Sequence, residues 1–439
     1  MENKFHFSIV TKVVNSIKFM KNIIQTTFLF VLILVSSSTS YAQIFDPVKG
    51  CVVGPNGDCI PNTLLTAMPF LRIAPDARGG AMGDVGITVS PDPNAIHYNA
   101  ANLAFAEKST ALALTYTPWL RELNLNDVFL LHFSGYKKLS KLETIGFGLR
   151  YFSLGEINFT DVQGIPIGQG NPRELEFNVA YARKLGDNFA ASLSAKYVYS
   201  NLASGQQVNG IDINSANAFA ADIGLSYKKK TKLGGYDSEW TYGLAITSLG
   251  SKVSYTDIAT VQDFLPSNLG FGAGLLMNFD QYNTMSFHLE INKLLVPTPV
   301  ARNILNADGS SSPNPEWDVD GDGIADYRQK ALFSGVFGSL GDAQGGFGEE
   351  IKEFSLSFGT EYWYDKQFAV RAGYYYEHPE KGDRQYLTVG LGIQYNIFGI
   401  NLSYLVPTNN RRNPLDNTLR FSLIFDFEGY QKKFAEEEE

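Results

Sequence analysis

The chain has 439 residues, including 31 Phe, 23 Tyr and 41 Gly, with 18% charged residues and a formal net charge of −9. A mean hydropathy of −0.11 is far too polar for a helical membrane protein, while a soluble chain of this size usually carries more charge. An isoelectric point near 5.2 argues against a nucleic-acid partner, because phosphate binding needs a basic face.

The first forty residues hold the only long apolar run. Lys18 and Lys21 precede Ile23-Ile24 and the stretch from Thr27 to Val35, and a Ser-rich segment ends in Ser40-Tyr41-Ala42. A basic head, a short apolar centre and small residues at the −3 and −1 positions predict a secretory signal peptide over 1–42, cleaved after Ala42. Met20 offers an alternative start, since 20–42 alone has ordinary signal length. A membrane anchor would need about 20 apolar residues. After Ala42 no stretch is long and apolar enough to span a bilayer as a helix, so export leaves two outcomes: a soluble periplasmic or secreted protein, or an outer-membrane barrel.

Residues 43–108 form the next unit, read as a periplasmic or plug segment. Cys51 and Cys59 lie outside the reducing cytoplasm, and Pro55-Asn56-Gly57 can turn the chain between them, so a small disulfide loop is expected. Zinc is disfavoured because no His or second Cys pair stands nearby. Further on come the Gly-rich run Ala77–Gly86 and the polar run Ser90–Leu103, neither with a spanning pattern.

From about Ser109 the sequence alternates. Leu387, Val389, Leu391, Ile393 and Tyr395 interleave with Thr388, Gly390, Gly392 and Gln394; Leu419, Phe421, Leu423, Phe425 and Phe427 interleave with Arg420, Ser422, Ile424 and Asp426. Period two gives a strand one apolar and one polar face. Strands are predicted near 109–117, 127–136, 143–154, 173–184, 187–199, 216–229, 238–248, 266–278, 283–294, 351–362, 366–376, 385–396, 398–406 and 417–427. Most have the ten or so residues that a tilted membrane strand needs. Short turns alternate strictly with long connections, the longest being 295–350. The fold class is therefore all-β: a 14-stranded antiparallel transmembrane barrel over 109–427, in contact with outer-membrane lipid, with an N-terminal plug and an acidic tail over 428–439. A lumen this wide needs filling, and 43–108 is long enough to fill it.

The longest loop carries a calcium-type motif. Asp318, Asp320, Asp322 and Asp326 supply carboxylates, Gly323 the turn and Ile324 a backbone carbonyl; Gln329 stands where a bidentate Glu belongs. Crowded carboxylates are tolerated when a cation offsets their repulsion, so a structural calcium site is expected, the alternative being a solvated acidic loop. Downstream, Leu332, Phe333, Val336, Phe337 and Leu340 recur at helical spacing. Such a stripe either packs on the barrel rim or contacts a protein partner. The mature histidines are His97, His132, His288 and His378. Ser286, His288 and Glu290 share a strand face, yet three polar residues are ordinary for an inner wall, and no nucleophile elbow, HExxH or P-loop accompanies them. No enzymatic activity is expected.

The run Asp76–Gly86, with Gly79, Gly80, Gly83 and Asp84, and the later Tyr98-Asn99-Ala100-Ala101-Asn102-Leu103 together resemble the plug of FadL-type barrels. The chain is most similar to the PorV (LptO) branch, outer-membrane components of the type IX, or Por, secretion system. FadL transporters commonly read Asn-Pro-Ala where this chain has Asn99-Ala100-Ala101, which weakens the case for a fatty-acid conduit. The resemblance implies a protein without chemistry of its own. It would associate with the giant translocon barrel, receive the C-terminal signal domain of cargo, and pass cargo to a surface attachment complex. The stripe at 332–340 would then face translocon or cargo. A passive transporter of hydrophobic small molecules and a lipopolysaccharide-modifying enzyme are the remaining readings.

Overall fold

The computed structural model describes residues 44–46, 51–53, 59–60, 64–120, 125–160, 165–208, 210–257, 262–300, 302–305, 311–343, 346–408 and 418–427. Fourteen antiparallel strands close into one barrel: β1 Thr110–Pro118, β2 Val128–Lys138, β3 Glu143–Leu154, β4 Arg173–Lys184, β5 Phe189–Asn201, β6 Ala216–Leu233, β7 Tyr236–Gly250, β8 Asn268–Asn278, β9 Asn283–Leu294, β10 Phe354–Tyr364, β11 Phe368–Tyr376, β12 Gln385–Tyr395, β13 Phe398–Pro407 and β14 Leu419–Asp426. Each pairs with the next in sequence. β14 returns to β1 through Phe421↔Tyr116 and Asp426↔Ala111. Closure removes every free edge, as hydrocarbon demands of a sheet.

Burial is inverted relative to a soluble sandwich. On β12, Val389, Leu391 and Ile393 are exposed while Thr388, Gly390 and Gly392 are buried; on β14, Phe421 and Leu423 are exposed while Arg420 and Ser422 are buried. In water, each such outward Leu or Phe would forgo roughly 1.5–3 kcal/mol of burial. Facing lipid, it forgoes none. The wall is thus built to stand in a membrane.

The two mouths differ. One carries the short connections 139–142, 185–188, 234–235, 279–282, 365–367 and 396–397; the other carries 119–127, 155–172, 202–215, 251–267, 295–353, 377–384 and 408–418. The β6–β7 turn is Gly234-Gly235 with φ of +59° and +90°, the left-handed backbone that a two-residue hairpin requires.

Residues 64–106 fill the lumen. At the long-loop mouth, Met68, Phe70 and Leu71 pack with Trp119, Val128, Phe152 and Val198. The one-turn helix Ala77–Gly80 lies on β12–β14, and Ile87 and Thr88 lie against β7 and β8. Helix Ala95–Tyr98 and the 3-10 turn Ala100–Phe105 rest on β3–β6, and Phe105 sits between Lys184 and Lys228 at the short-turn mouth. The segment begins under the long loops, where its apolar start finds an apolar seat. The wall approaches it closely: a Cβ on Gly373 or Gly359 would come within 2.0 or 2.6 Å of the Met82 main chain.

Cys51–Val53 and Cys59–Ile60 are short paired strands, with Val53 opposite Cys59. Their side chains, and with them the expected disulfide, lie outside the described residues, as do residues 1–42, expected to be a signal peptide, and the tail 428–439.

Candidate functional site

Charge holds the plug to the wall. Arg78 donates from Nε and an η-nitrogen to the two carboxylate oxygens of Glu361 on β10, at 2.9 and 2.7 Å, and from its other η-nitrogen to Asp92 and the Ser90 carbonyl. Arg371 of β11 donates to the same Glu361 at 2.6 Å and to Asn401 at 2.9 Å. On the opposite wall, Arg150 of β3 pairs with Glu176 and donates to the Phe70 carbonyl at 2.9 Å; Lys196 bridges Glu176 and Asp222. Apart from the half-buried Asp92, these charged side chains are buried, so each depends on its partner.

The six plug-motif residues meet around these anchors. Asp76 caps the first helix by accepting from Gly79 N–H, and Tyr98 O–H donates to it at 2.7 Å, crossing close over Gly79. Gly80 faces Arg420, Gly83 N–H donates to Thr388, and Asp84 accepts from Tyr386 O–H. Asn99 donates to the Leu225 carbonyl, and Asn102 accepts from Ser226 O–H while donating to the Ile87 carbonyl.

The Ser286/His288/Glu290 group divides. Ser286 and His288 are 3.0 Å apart, and the other His288 nitrogen faces Thr88 at 3.0 Å. Glu290 accepts instead from the Gly86 and Ile87 N–H groups at 2.9 and 2.7 Å. Wall polarity is spent here on seating the plug.

In the longest loop, carboxylate oxygens of Asp318, Asp320 and Asp326 lie within 4.8 Å of one another. Asp322 is turned away: Gln329 and the Ile324 N–H donate to it. Burial raises Asp318, but N–H donation from Gly323, Gly321 and Asp322 outweighs it and holds the group low. Asp320 receives a hydrogen bond from Asp322 N–H that lowers it, yet slight desolvation and the neighbouring Asp322 and Asp326 carboxylates push it up. The three oxygens, crowded and facing one another, suit a hard divalent cation.

The stripe splits by face. Helix Leu332–Gly338 turns Val336 inward, fully buried, and Leu332 packs beside Leu64, Phe264, Leu294 and Val296. Phe333, Phe337 and Leu340 are 62%, 56% and 49% exposed, and the two Phe rings stack at 6.4 Å. Phe347 and Ile351, further along the same loop, are also exposed. Buried ion pairs brace the loop from below. Lys293 reaches Glu350 and Glu353, both at 2.6 Å, and Lys381 reaches Glu353 and Glu349 at 3.0 and 3.1 Å. Beside them, Arg72 and Arg384 flank Glu377 at 3.0 and 2.8 Å. Burial would raise Glu377, but the two guanidinium groups hold it down at about 2.

Sequence reading missed these anchors. The available signal was the set of charges at inward strand positions, Arg150, Glu176, Lys196, Glu361 and Arg371, each of which needs a partner inside the lumen.

The sequence profile of the family described as "Type IX secretion system protein PorV" matches residues 58–301. No curated protein matches. Among solved structures, the chain is similar to the toluene transporter TodX of Pseudomonas putida (12% identity, 79% of this chain and 95% of that one, TM-score 0.43). Others are the toluene transporter TbuX of Ralstonia pickettii (14%, 80% and 96%, TM-score 0.42) and a FadL homologue of Pseudomonas aeruginosa (10%, 84% and 100%, TM-score 0.38).

Proposed function

This chain belongs to the PorV family and is an outer-membrane component of the type IX secretion system; from that premise we propose that it acts without chemistry of its own, as a docking partner. It associates with the translocon barrel, binds the C-terminal signal domain of cargo, and passes cargo to the surface attachment complex. The observation that carries this reading is the exposed Phe333–Phe337–Leu340 face on the longest loop. An aromatic patch held out from a braced loop is costly in water and is the usual raw material of a protein interface. The alternative, passage of hydrophobic small molecules, would need an apolar path. The cavity beside the plug, about 110 Å³, sets the charged Arg72, Asp84, Glu290 and Arg384 among Leu71, Ala74, Ile87, Pro266 and Leu294, so its lining is mixed and not apolar.

The test is a Phe333→Ser/Phe337→Ser double variant and a deletion of 331–348, each checked for a folded barrel in the outer membrane. Loss of co-isolation with the large translocon barrel and with cargo C-terminal domains supports the proposal. Unchanged secretion by both variants sinks it.

A further inference from the structure

The direction in which residues 64–106 thread the lumen has a topological consequence. Their beginning is pinned at the long-loop mouth: Ala67 N–H donates to the Phe264 carbonyl at 2.9 Å, Leu64 packs with Phe264, Leu294 and Val296, and Arg72 pairs with Glu377 of the 377–384 loop. Their end is pinned at the other mouth, where Lys138 donates to the Ala106 carbonyl at 2.7 Å and Lys184 and Lys228 flank Phe105. Between these points the segment is in close contact with the wall: Ala81, Met82, Val85, Ala101 and Leu103 are fully buried. One cavity beside it, lined by Arg72, Asp84, Tyr98, Glu290 and Arg384 among others, measures about 110 Å³. A second pass of chain does not fit there. Outer-membrane barrels carry long loops at the cell surface and short turns in the periplasm.

We propose that the plug enters the barrel from its outer mouth, so that the short strands Cys51–Val53 and Cys59–Ile60, which precede it, are displayed at the cell surface beside the loop-borne aromatic face. Chain length alone would not decide this, since twenty extended residues reach roughly 66 Å, more than the membrane's thickness. The occupied lumen decides it. The periplasm, where the mature chain first appears, is reached from Leu64 only through a space the plug already fills, so the outer end must be drawn through as the barrel closes around it. The inference rests on the orientation of the barrel and is independent of the secretion role.

Thiol labelling on intact cells tests it with the full-length protein. Cys59→Ser frees Cys51, and Asn56→Cys in a Cys51→Ser/Cys59→Ser chain gives a second probe. In the same cysteine-free background, Phe333→Cys reports the long-loop mouth and Lys232→Cys, at the exposed tip of β6, the short-turn mouth. With a membrane-impermeant maleimide, both N-terminal probes should label before the outer membrane is permeabilised, as Phe333→Cys does, whereas Lys232→Cys should label only afterwards. Labelling of neither N-terminal probe in intact cells, while Phe333→Cys labels, overturns the proposal.

Discussion

Glu361 is the carboxylate on which the plug's central anchor converges, and Glu361→Gln isolates its charge at nearly constant volume. In the native barrel it accepts three N–H donations, two from Arg78 and one from Arg371, at 2.6 to 2.9 Å, with the side chain only 4% exposed. A glutamine keeps one acceptor and turns an NH₂ group towards a guanidinium. Arg78 retains Asp92 and Ser90, but Arg371 keeps only Asn401. Removing one partner of a buried pair costs about 3–5 kcal/mol because the remaining charge stays desolvated. Equilibrium unfolding in urea, on barrel reconstituted in lipid, should show that loss, with protease sensitivity rising first in 77–92. Arg78→Met supplies the second arm of a double-mutant cycle, and the coupling between the two substitutions should exceed about 1 kcal/mol. A Glu361→Gln barrel within about 1 kcal/mol of the parent, or strict additivity in the cycle, would refute the claim that this charge cluster seats the plug.

Gly83 has φ of +70° and lies where a Cβ would come within 2.6 Å of the Tyr374 carbonyl oxygen; Gly83→Ala should cost about 2 kcal/mol or more in the same unfolding measurement, and a neutral outcome would show that the plug has slack. Glu377 is held at about 2, below the ordinary glutamate value of 4.5, so its contribution is complete above pH 4.5 and is lost as pH falls from there towards 2. That difference amounts to about 3 kcal/mol, and faster hydrogen exchange of 64–73 over this window, abolished in Glu377→Gln, is the expected signature. Calorimetry on the whole barrel should detect calcium binding that Asp318→Asn removes and Asp322→Asn largely spares, since Asp322 is turned to Gln329; no binding heat in the parent would leave 318–326 a solvated acidic loop.

The wall was legible because a lipid-facing strand has only one workable pattern. Val389, Leu391 and Ile393 must face out, Thr388, Gly390 and Gly392 must not, and a slip of one residue would exchange the two faces. The turns were legible in place but not in length: expected at 185–186 and around 230–237, they fall at 185–188 and at Gly234-Gly235. The plug's route was not. Arg78 and Glu361 stand 283 positions apart and Gly86 and Glu290 204, and no local rule pairs residues at such range. The helical stripe lay between these cases: its 3.6 period announced a helix, but which side is covered depends on how the whole loop docks, and this buries Val336 while leaving Phe333 and Phe337 bare.

The braces beneath the outer loop bear on what that bare face can do. Lys293 and Lys381 are almost wholly buried and both pair with Glu353, while Thr298 donates from its hydroxyl to Glu353 and from its backbone N–H to Asp342. Burying such a network contributes little net stability, since desolvation offsets most of the Coulomb attraction, but it fixes the loop in one geometry. A long loop left free would have to be ordered on association, at roughly 0.5–1.5 kcal/mol for each immobilised side chain. Here the ordering accompanies folding of the barrel, so a partner meets Phe333 and Phe337 already stacked. Under the docking role proposed above, the pairs that brace this loop therefore present its aromatic face already ordered.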